Sequence, residues 1–423
     1  MLTHEDRIQT DDLRHDRHIL RELCQRKFDI GSLAIQAHTA EAWRRLNELD
    51  PVRPMVWINE IPWHELNVDG CLEPRCRDPF LRGIESHLLR ELYQWDHFRC
   101  DMVVEPVIDA PLVGGPTSSY ADYGIEEKLD RAEGGKDVGF IPVIHSEADA
   151  DRITTPRVWF DRERTERQHR LLVEVFEGVI PVRRRGIVHQ WHSPWDQIIH
   201  WYGIEQLYTD MYDRPQLVHR ILGNFMRALH EVVDQQQALG MLDVSNGNHR
   251  VGSGGMGITS ELPAHLPPGE PVTTAHQWGC ATAQIFWEVS PDMHEEFARQ
   301  DDRPLMHRYG LTYYGCCEPL DRKVDMLRSV RNLRKISMSP WTDPARASEA
   351  LGRDYVMSYK PTPAALAMGG FDAQQVRADL KRVLDLTRGN CVELILKDIS
   401  TVCDQPDRLD AWPDIAMQLV HHW

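Results

Sequence analysis

Two adjacent cysteines, Cys316 and Cys317, are followed directly by Glu318 in the stretch LTYYGCCEPLD, residues 311–321. Thiolates are nucleophiles and soft metal ligands. A carboxylate beside them can exchange a proton with substrate or cap a following helix. The run before them, Leu311–Tyr314, is short and continuously apolar, as a strand covered on both faces is. Other groups with chemistry stand at the ends of comparable runs: Glu60, Glu105, His189, His192, Asn246, Asn248, His249, Lys360, Lys397 and Asp398. Thiol, imidazole, carboxylate and amine groups at successive strand ends describe one reactive rim.

Each group has a bland alternative. One cysteine could pack in a wall while Glu318 caps the next helix. His189 and His192 lie three apart, on opposite faces if the strand continues, so one lines a pocket as an acid-base group while the other is buried. Asp243–Gly257, DVSNGNHRVGSGGMG, reads as a strand running into a flexible loop that offers Asn246, Asn248 and His249 as polar pocket residues. Its glycines lack the Gly-Lys-Ser/Thr ending of a phosphate loop. Lys360 and Lys397 would be costly inside a strand, so a rim position with a charge partner is expected. Trp278 and Tyr314 could supply aromatic walls for a small substrate.

The elements that must position these groups follow from periodicity. Helical patterns such as RPQLVHRILGNFMRALHEVVDQQQALG alternate with the apolar runs GIVHQW, MLDVSN, TAQIFW, LTYYGC, LRKISMS, DYVMSY and CVELILK. With RPMVWINEIPW and CDMVVEPVI before them, this alternation predicts parallel β/α units closed into a (β/α)₈ TIM barrel. Residues 1–50 carry helical periodicity and form an N-terminal helical extension, a cap on a barrel of residues 51–423. Asp109–Gly139 is rich in glycine and proline and reads as a long surface loop.

Composition removes several function classes. The 423 residues carry a formal net charge of −17, which opposes nucleic acid and anionic membrane partners. There is no apolar run of about 18 residues, and the first residues, MLTHEDRIQTDDLRHDR, are charged. A cytoplasmic protein is expected. The nine cysteines are scattered and predominantly reduced on this reading. Cys71 and Cys76 are spaced as a clip, with no second pair to complete a zinc ribbon.

Four segments carry a resemblance: PVIHSEADADRITTP, HWYGIEQLYTDMYDRPQLVHRIL, VSPDMHEEF and LTYYGCCEPLDRKVDMLRSVRNLRKISMSPW. From about Ile144 to the C-terminus the chain resembles the uroporphyrinogen decarboxylase superfamily, nearer its methylcobamide:coenzyme M methyltransferase branch than the true decarboxylases. The resemblance implies the barrel, a zinc ion and a corrinoid carried on a partner protein. Cys316 matches the family's zinc cysteine. Tyr314 stands where its histidine should be, and Asp398 stands about where a second cysteine is expected. Cys317, Glu318, His249 or His276 would have to complete the metal set. After the first strand, VWINEIPWHEL offers Asn59 and Glu60 where the decarboxylases keep arginines.

The expected function is metal-dependent methyl transfer to or from a small substrate, with a corrinoid carrier and a thiol. On this reading Cys316, Cys317, His249 and Asp398 bind zinc, Glu318, His189, His192 and Lys360 catalyse, and Glu60, Asn246, Asn248, Trp278 and Tyr314 bind substrate. The alternatives are a decarboxylase or lyase of a small non-porphyrin substrate and a non-catalytic small-molecule-binding barrel. Expected partners are the small molecule, a corrinoid protein and a second copy of the chain.

Overall fold

The computed structural model describes residues 4–117, 121–131 and 138–423. Seven short strands form one parallel sheet: β1 (Met55–Ile58), β2 (Trp191–His192), β3 (Trp278–Ala281), β4 (Leu311–Tyr314), β5 (Leu333–Met338), β6 (Val356–Tyr359) and β7 (Cys391–Leu396). Their order is β1-β7-β6-β5-β4-β3-β2, so strands β2 to β7 are neighbours in sequence order and β1 joins the far side of β7. Five of these strands are buried throughout, with no polar face to alternate, because helices cover one side and the interior the other. The fold is therefore mixed α/β around a large parallel sheet.

Several expected strands are shorter or displaced. TAQIFW is not a strand: pairing occurs just upstream at β3, and Gln284–Phe286 is a single 3₁₀ turn. Gly279 interrupts the apolar signal there because a Cβ would come within 2.4 Å of the Tyr309 ring. GIVHQW and MLDVSN pair only through an Ile187–Leu242 bridge. The amide of Gln277 donates instead to the carbonyls of Ile187 and Asp243, both at 2.6 Å. In CDMVVEPVI, the Val104 N–H goes to the Gln36 side chain at 2.8 Å and the Val103 carbonyl to Asn248 at 2.6 Å. Side chains thus satisfy backbone groups that a ladder would otherwise take.

Helices His4–Gly31 and Ala34–Asn47 open the chain. Trp43 of the second is fully buried, its indole donating to the Asp101 carbonyl at 2.8 Å, and Asn47 donates to the carbonyls of Met256 and Ile258. Later helices begin where an aspartate accepts from free backbone N–H groups, as Asp78, Asp343 and Asp372 do. Each such cap is worth about 1 kcal/mol. Within the stretch 109–139, Gly114–Gly115 pairs with Trp159–Phe160, and Lys128–Arg131 forms an antiparallel pair with Val138–Ile141. Residues 118–120 and 132–137 of the expected loop lie outside the described residues. Among the described residues no helix is long and apolar enough to cross a membrane.

The segment expected to be a flexible loop is buried. Arg250 and Met256 form an antiparallel bridge, and Val251, Ser253 and Met256 are buried in the interior of the sheet. Glycine is required at the tip. Gly252 has φ +58° and a Cβ there would lie 2.3 Å from the Tyr313 ring, while one at Gly254 would lie 2.4 Å from the Glu393 carboxylate.

Candidate functional site

Strand β4 ends at Gly315, whose φ of +99° breaks the extended run. Consecutive strand residues point apart, but beyond this turn both thiols lie on one side, with Cys316 Sγ and Cys317 Sγ 3.5 Å apart. The two peptides that flank Cys316 are each held. Glu318 accepts from the Cys316 N–H at 2.8 Å, and the Ser337 hydroxyl donates to the Cys316 carbonyl at 2.7 Å. Glu318 is itself buried and accepts from the Thr282 hydroxyl at 2.9 Å. Burial raises its pKa.

Strand β7 delivers the opposite charge. Lys397, the residue after it, places Nζ 3.8 Å from Cys316 Sγ, 3.6 Å from Cys317 Sγ, 2.8 Å from Asp398 and 3.4 Å from Glu60. Burial works against the lysine's charge, but the thiols and carboxylates outweigh it and hold its pKa up. Cys317 is held below the usual thiol range by the hydrogen bond from Cys316 and by Lys397, against the effect of burial. The Cys316 thiol is pushed up by that same hydrogen bond and by burial. Cys317 is thus the more acidic thiol of the pair, with Lys397 beside it.

Glu60 follows β1 by two residues and Asp398 follows β7 by two, and both are non-glycine residues with positive φ, +54° and +57°. The Asp398 N–H donates to Glu60 at 3.1 Å, and Arg250 from the buried hairpin lies 3.2 Å from the other Glu60 oxygen. Such conformations cost about 1–3 kcal/mol each and cluster at functional sites. Strained carboxylates on neighbouring strand ends, meeting over one lysine and two thiols, mark this as the candidate active site.

Beneath it lies a second polar layer. Lys360, the residue after β6, is buried and donates to Tyr313, to the Ser358 hydroxyl at 2.8 Å and to its carbonyl at 2.9 Å. Burial pulls the Lys360 pKa down to about 7. Tyr313 also contacts the Ser253 hydroxyl at 2.9 Å. Deeper still, Lys335 and Glu393 are fully buried and paired at 2.9 Å.

The other expected site residues are distributed as follows. His189 Nε2 accepts from the Gly252 N–H at 2.9 Å, and His192 Nε2 pairs with the Tyr309 hydroxyl at 2.8 Å. Among the described residues His249 has no hydrogen-bond partner on either ring nitrogen. Their partners lie away from the thiol pair: His189 holds the hairpin and His192 the β2–β3 side of the sheet. Burial lowers their pKa values to about 4, 3 and 3. Asn246 and Asn248 spend their amides on the Leu262 and Val103 carbonyls. Trp278 is fully buried and donates to the Gly257 carbonyl at 2.9 Å. Tyr314 faces the helices, paired with His294 at 2.8 Å and lying under Arg299. Strand alternation sends Tyr313, not Tyr314, into the interior.

The zinc expectation meets a specific obstacle. Cys316, Cys317 and Asp398 do converge, but around the ammonium of Lys397, and His249 is not with them. Among the described residues no three His, Cys, Asp or Glu side chains form a metal-holding group. The donors present fit a lysine cation rather than a metal. Sequence reading missed Thr282, Ser337, Arg250, Tyr313 and the Lys335–Glu393 pair. The signal for that pair was Lys335, beside Arg334, inside the run LRKISM and Glu393 inside the apolar run CVELIL.

No family model matches the chain, and no curated protein matches it. Among solved structures it is similar to a methyltransferase from Methanosarcina mazei, with a TM-score of 0.50 and 10% identity over 90% of this chain and 98% of that one. At that identity the likeness is one of fold.

Proposed function

We propose that the chain is an enzyme that moves a methyl group from a methylated corrinoid, carried by a partner protein, to the sulfur of a small thiol. Residues 51–423 are its closed (β/α)₈ barrel and residues 1–50 a helical cap. The observation that carries this reading is the Lys397 ammonium within 3.8 Å of both thiols at the end of β7. The fold likeness to a methyltransferase supports the same class.

The chemistry follows from the charges. Cys317 as thiolate takes the proton of the acceptor thiol, and the Lys397 ammonium stabilises the new thiolate. That sulfur forms a bond to the methyl carbon while the carbon–corrinoid bond breaks, its electron pair remaining on the corrinoid. Cys317 then returns its proton to solvent. Glu60 and Asp398 keep Lys397 charged and aimed, and Glu318 and Ser337 fix the turn that presents Cys317.

A second reading, decarboxylation or lysis of a small carboxylic acid, is favoured by one observation: a buried lysine, Lys360, whose amine is near neutrality beside Tyr313. Lysines of that kind serve as bases or imine-forming nucleophiles.

The test is a spectroscopic assay of demethylation of methylcobalamin by a panel of small thiols. Lys397→Met is expected to lower the rate roughly 10²-fold, as loss of one preorganised electrostatic partner does, with Lys397→Arg recovering part of it. No demethylation by the unmodified protein with any thiol, together with turnover of a small carboxylic acid that Lys360→Met abolishes, would replace this reading with the second.

A further inference from the structure

We infer that Cys316 and Cys317 form a reversible intramolecular disulfide by exchange with small-molecule disulfides, so that this turn is a redox-modification site. The inference rests on the geometry of the turn and not on the methyl-transfer reading.

Three observations carry it. The two sulfurs are already in van der Waals contact at 3.5 Å. The backbone that carries them is held on both sides of Cys316, its N–H by Glu318 and its carbonyl, the one shared with Cys317, by the Ser337 hydroxyl, so the turn that brings the two sulfurs to one side is built into the fold. Lys397 lies 3.6 Å from Cys317 Sγ and 3.8 Å from Cys316 Sγ, supplying the cation that makes a thiol an effective attacker. The other seven cysteines of the chain are also free.

The step balances without any further reagent. The Cys317 thiolate attacks one sulfur of a disulfide R–S–S–R, forming a mixed disulfide and expelling one R–S⁻. Cys316, in contact with Cys317, gives up its proton and attacks the Cys317 sulfur, expelling the second R–S⁻. Two thiols of the protein are oxidised and one small disulfide is reduced to two thiols. Neighbouring Cα atoms are fixed at about 3.8 Å across a trans peptide, shorter than the roughly 4.4–6.8 Å that an unstrained disulfide spans. The bond so formed is strained and is readily reopened by excess thiol, which is the property of a switch. Oxidation also removes the thiolate that faces Lys397, leaving the ammonium to Asp398 and Glu60.

The experiment uses the full-length protein and 2-hydroxyethyl disulfide as the probe, followed by alkylation, digestion and mass measurement of the peptide containing residues 311–321. The expected product is lighter than the reduced peptide by two hydrogens, carries no alkyl group and reverts on addition of thiol. Cys316→Ser should instead hold a mixed disulfide on Cys317, formed on the order of tenfold faster than at the exposed Cys71. A wild-type peptide that still takes two alkyl groups, or that persists as a mixed disulfide, overturns the inference. So does equal reactivity of Cys317 and Cys71 in the variant.

Discussion

Acidification from about pH 6.5 to pH 4 is expected to strip the protein of several kcal/mol of stability, with His189, His192 and His249 each taking up a proton on unfolding. Burial holds the three imidazoles neutral in the fold, with pKa values of about 4, 3 and 3 against an ordinary value of 6.5. The sign follows from proton counting. Above pH 6.5 neither state is protonated and the stability they permit is fully present. Below it the unfolded chain binds protons that the fold refuses, so stability falls until the folded values are reached. Each unit of depression is worth about 1.4 kcal/mol. Asp302 works in the opposite direction, because burial raises its carboxyl to about 7 and the fold gains relative stability as pH falls from there toward 3.8. Glu318, also raised by burial, acts in the same sense as Asp302, while His294, held well below its ordinary value by burial, adds to the three imidazoles, and the histidines set the net slope. Thermal midpoints measured across this range should fall steeply, and His249→Leu should flatten the slope by about one proton, since among the described residues neither of its ring nitrogens has a partner to lose. Midpoints that stay level down to pH 4 would contradict the burial of these rings.

The second large effect is expected at Lys335→Met, a loss of about 3–5 kcal/mol, the usual cost of leaving one member of a buried ion pair alone. Lys335 and Glu393 are both fully buried and 2.9 Å apart. Burial pulls the lysine's pKa down, while Lys335, against burial, holds the glutamate's down. The remaining Glu393 would keep the Gly255 N–H at 3.1 Å, the Ser358 hydroxyl and the more distant Lys360, without a directly paired cation. Replacing both, Lys335→Met with Glu393→Leu, should recover much of the loss because no unpaired charge remains. Denaturant titration of the single and double variants decides the matter. Lys335 Nζ lies 5.7 Å from the rings of both Trp43 and Trp278, so tryptophan emission should report the same transition. A double variant no more stable than the single one would show that the pair is not what the interior depends on.

The parallel α/β architecture was legible because β4 to β7 are brief apolar runs between amphipathic helices. What could not be read was which neighbours those runs would have. Tyr313 and Tyr314 are identical in type, and a strand buried on both faces gives no alternation to say which enters the interior. The Cys316–Glu318 turn and Lys397 were both visible as strand-end chemistry, but 80 residues separate Lys397 from Cys317, and no local pattern records that distance. The glycines of GSGGMG resembled a flexible loop because composition alone does not distinguish freedom from close approach. Gly252 and Gly254 meet the Tyr313 ring and the Glu393 carboxylate, and Gly255 meets the Trp43 ring, groups that come from elements far away along the chain.

That buried hairpin also sets an order of assembly on the growing chain. Its Met256 carbonyl is held by Asn47, 209 positions earlier, and its Gly255 N–H by Glu393, 138 positions later. As the chain leaves the ribosome, the hairpin can meet its N-terminal partner while its C-terminal one is still unmade. Until β7 emerges, the Gly255 N–H and Lys335 lack the carboxylate that both require. The interior therefore closes all at once, and only after β7 has been synthesised. Contacts of such long sequence separation fold slowly, and the nascent protein passes through an extended period with its most polar core open to water.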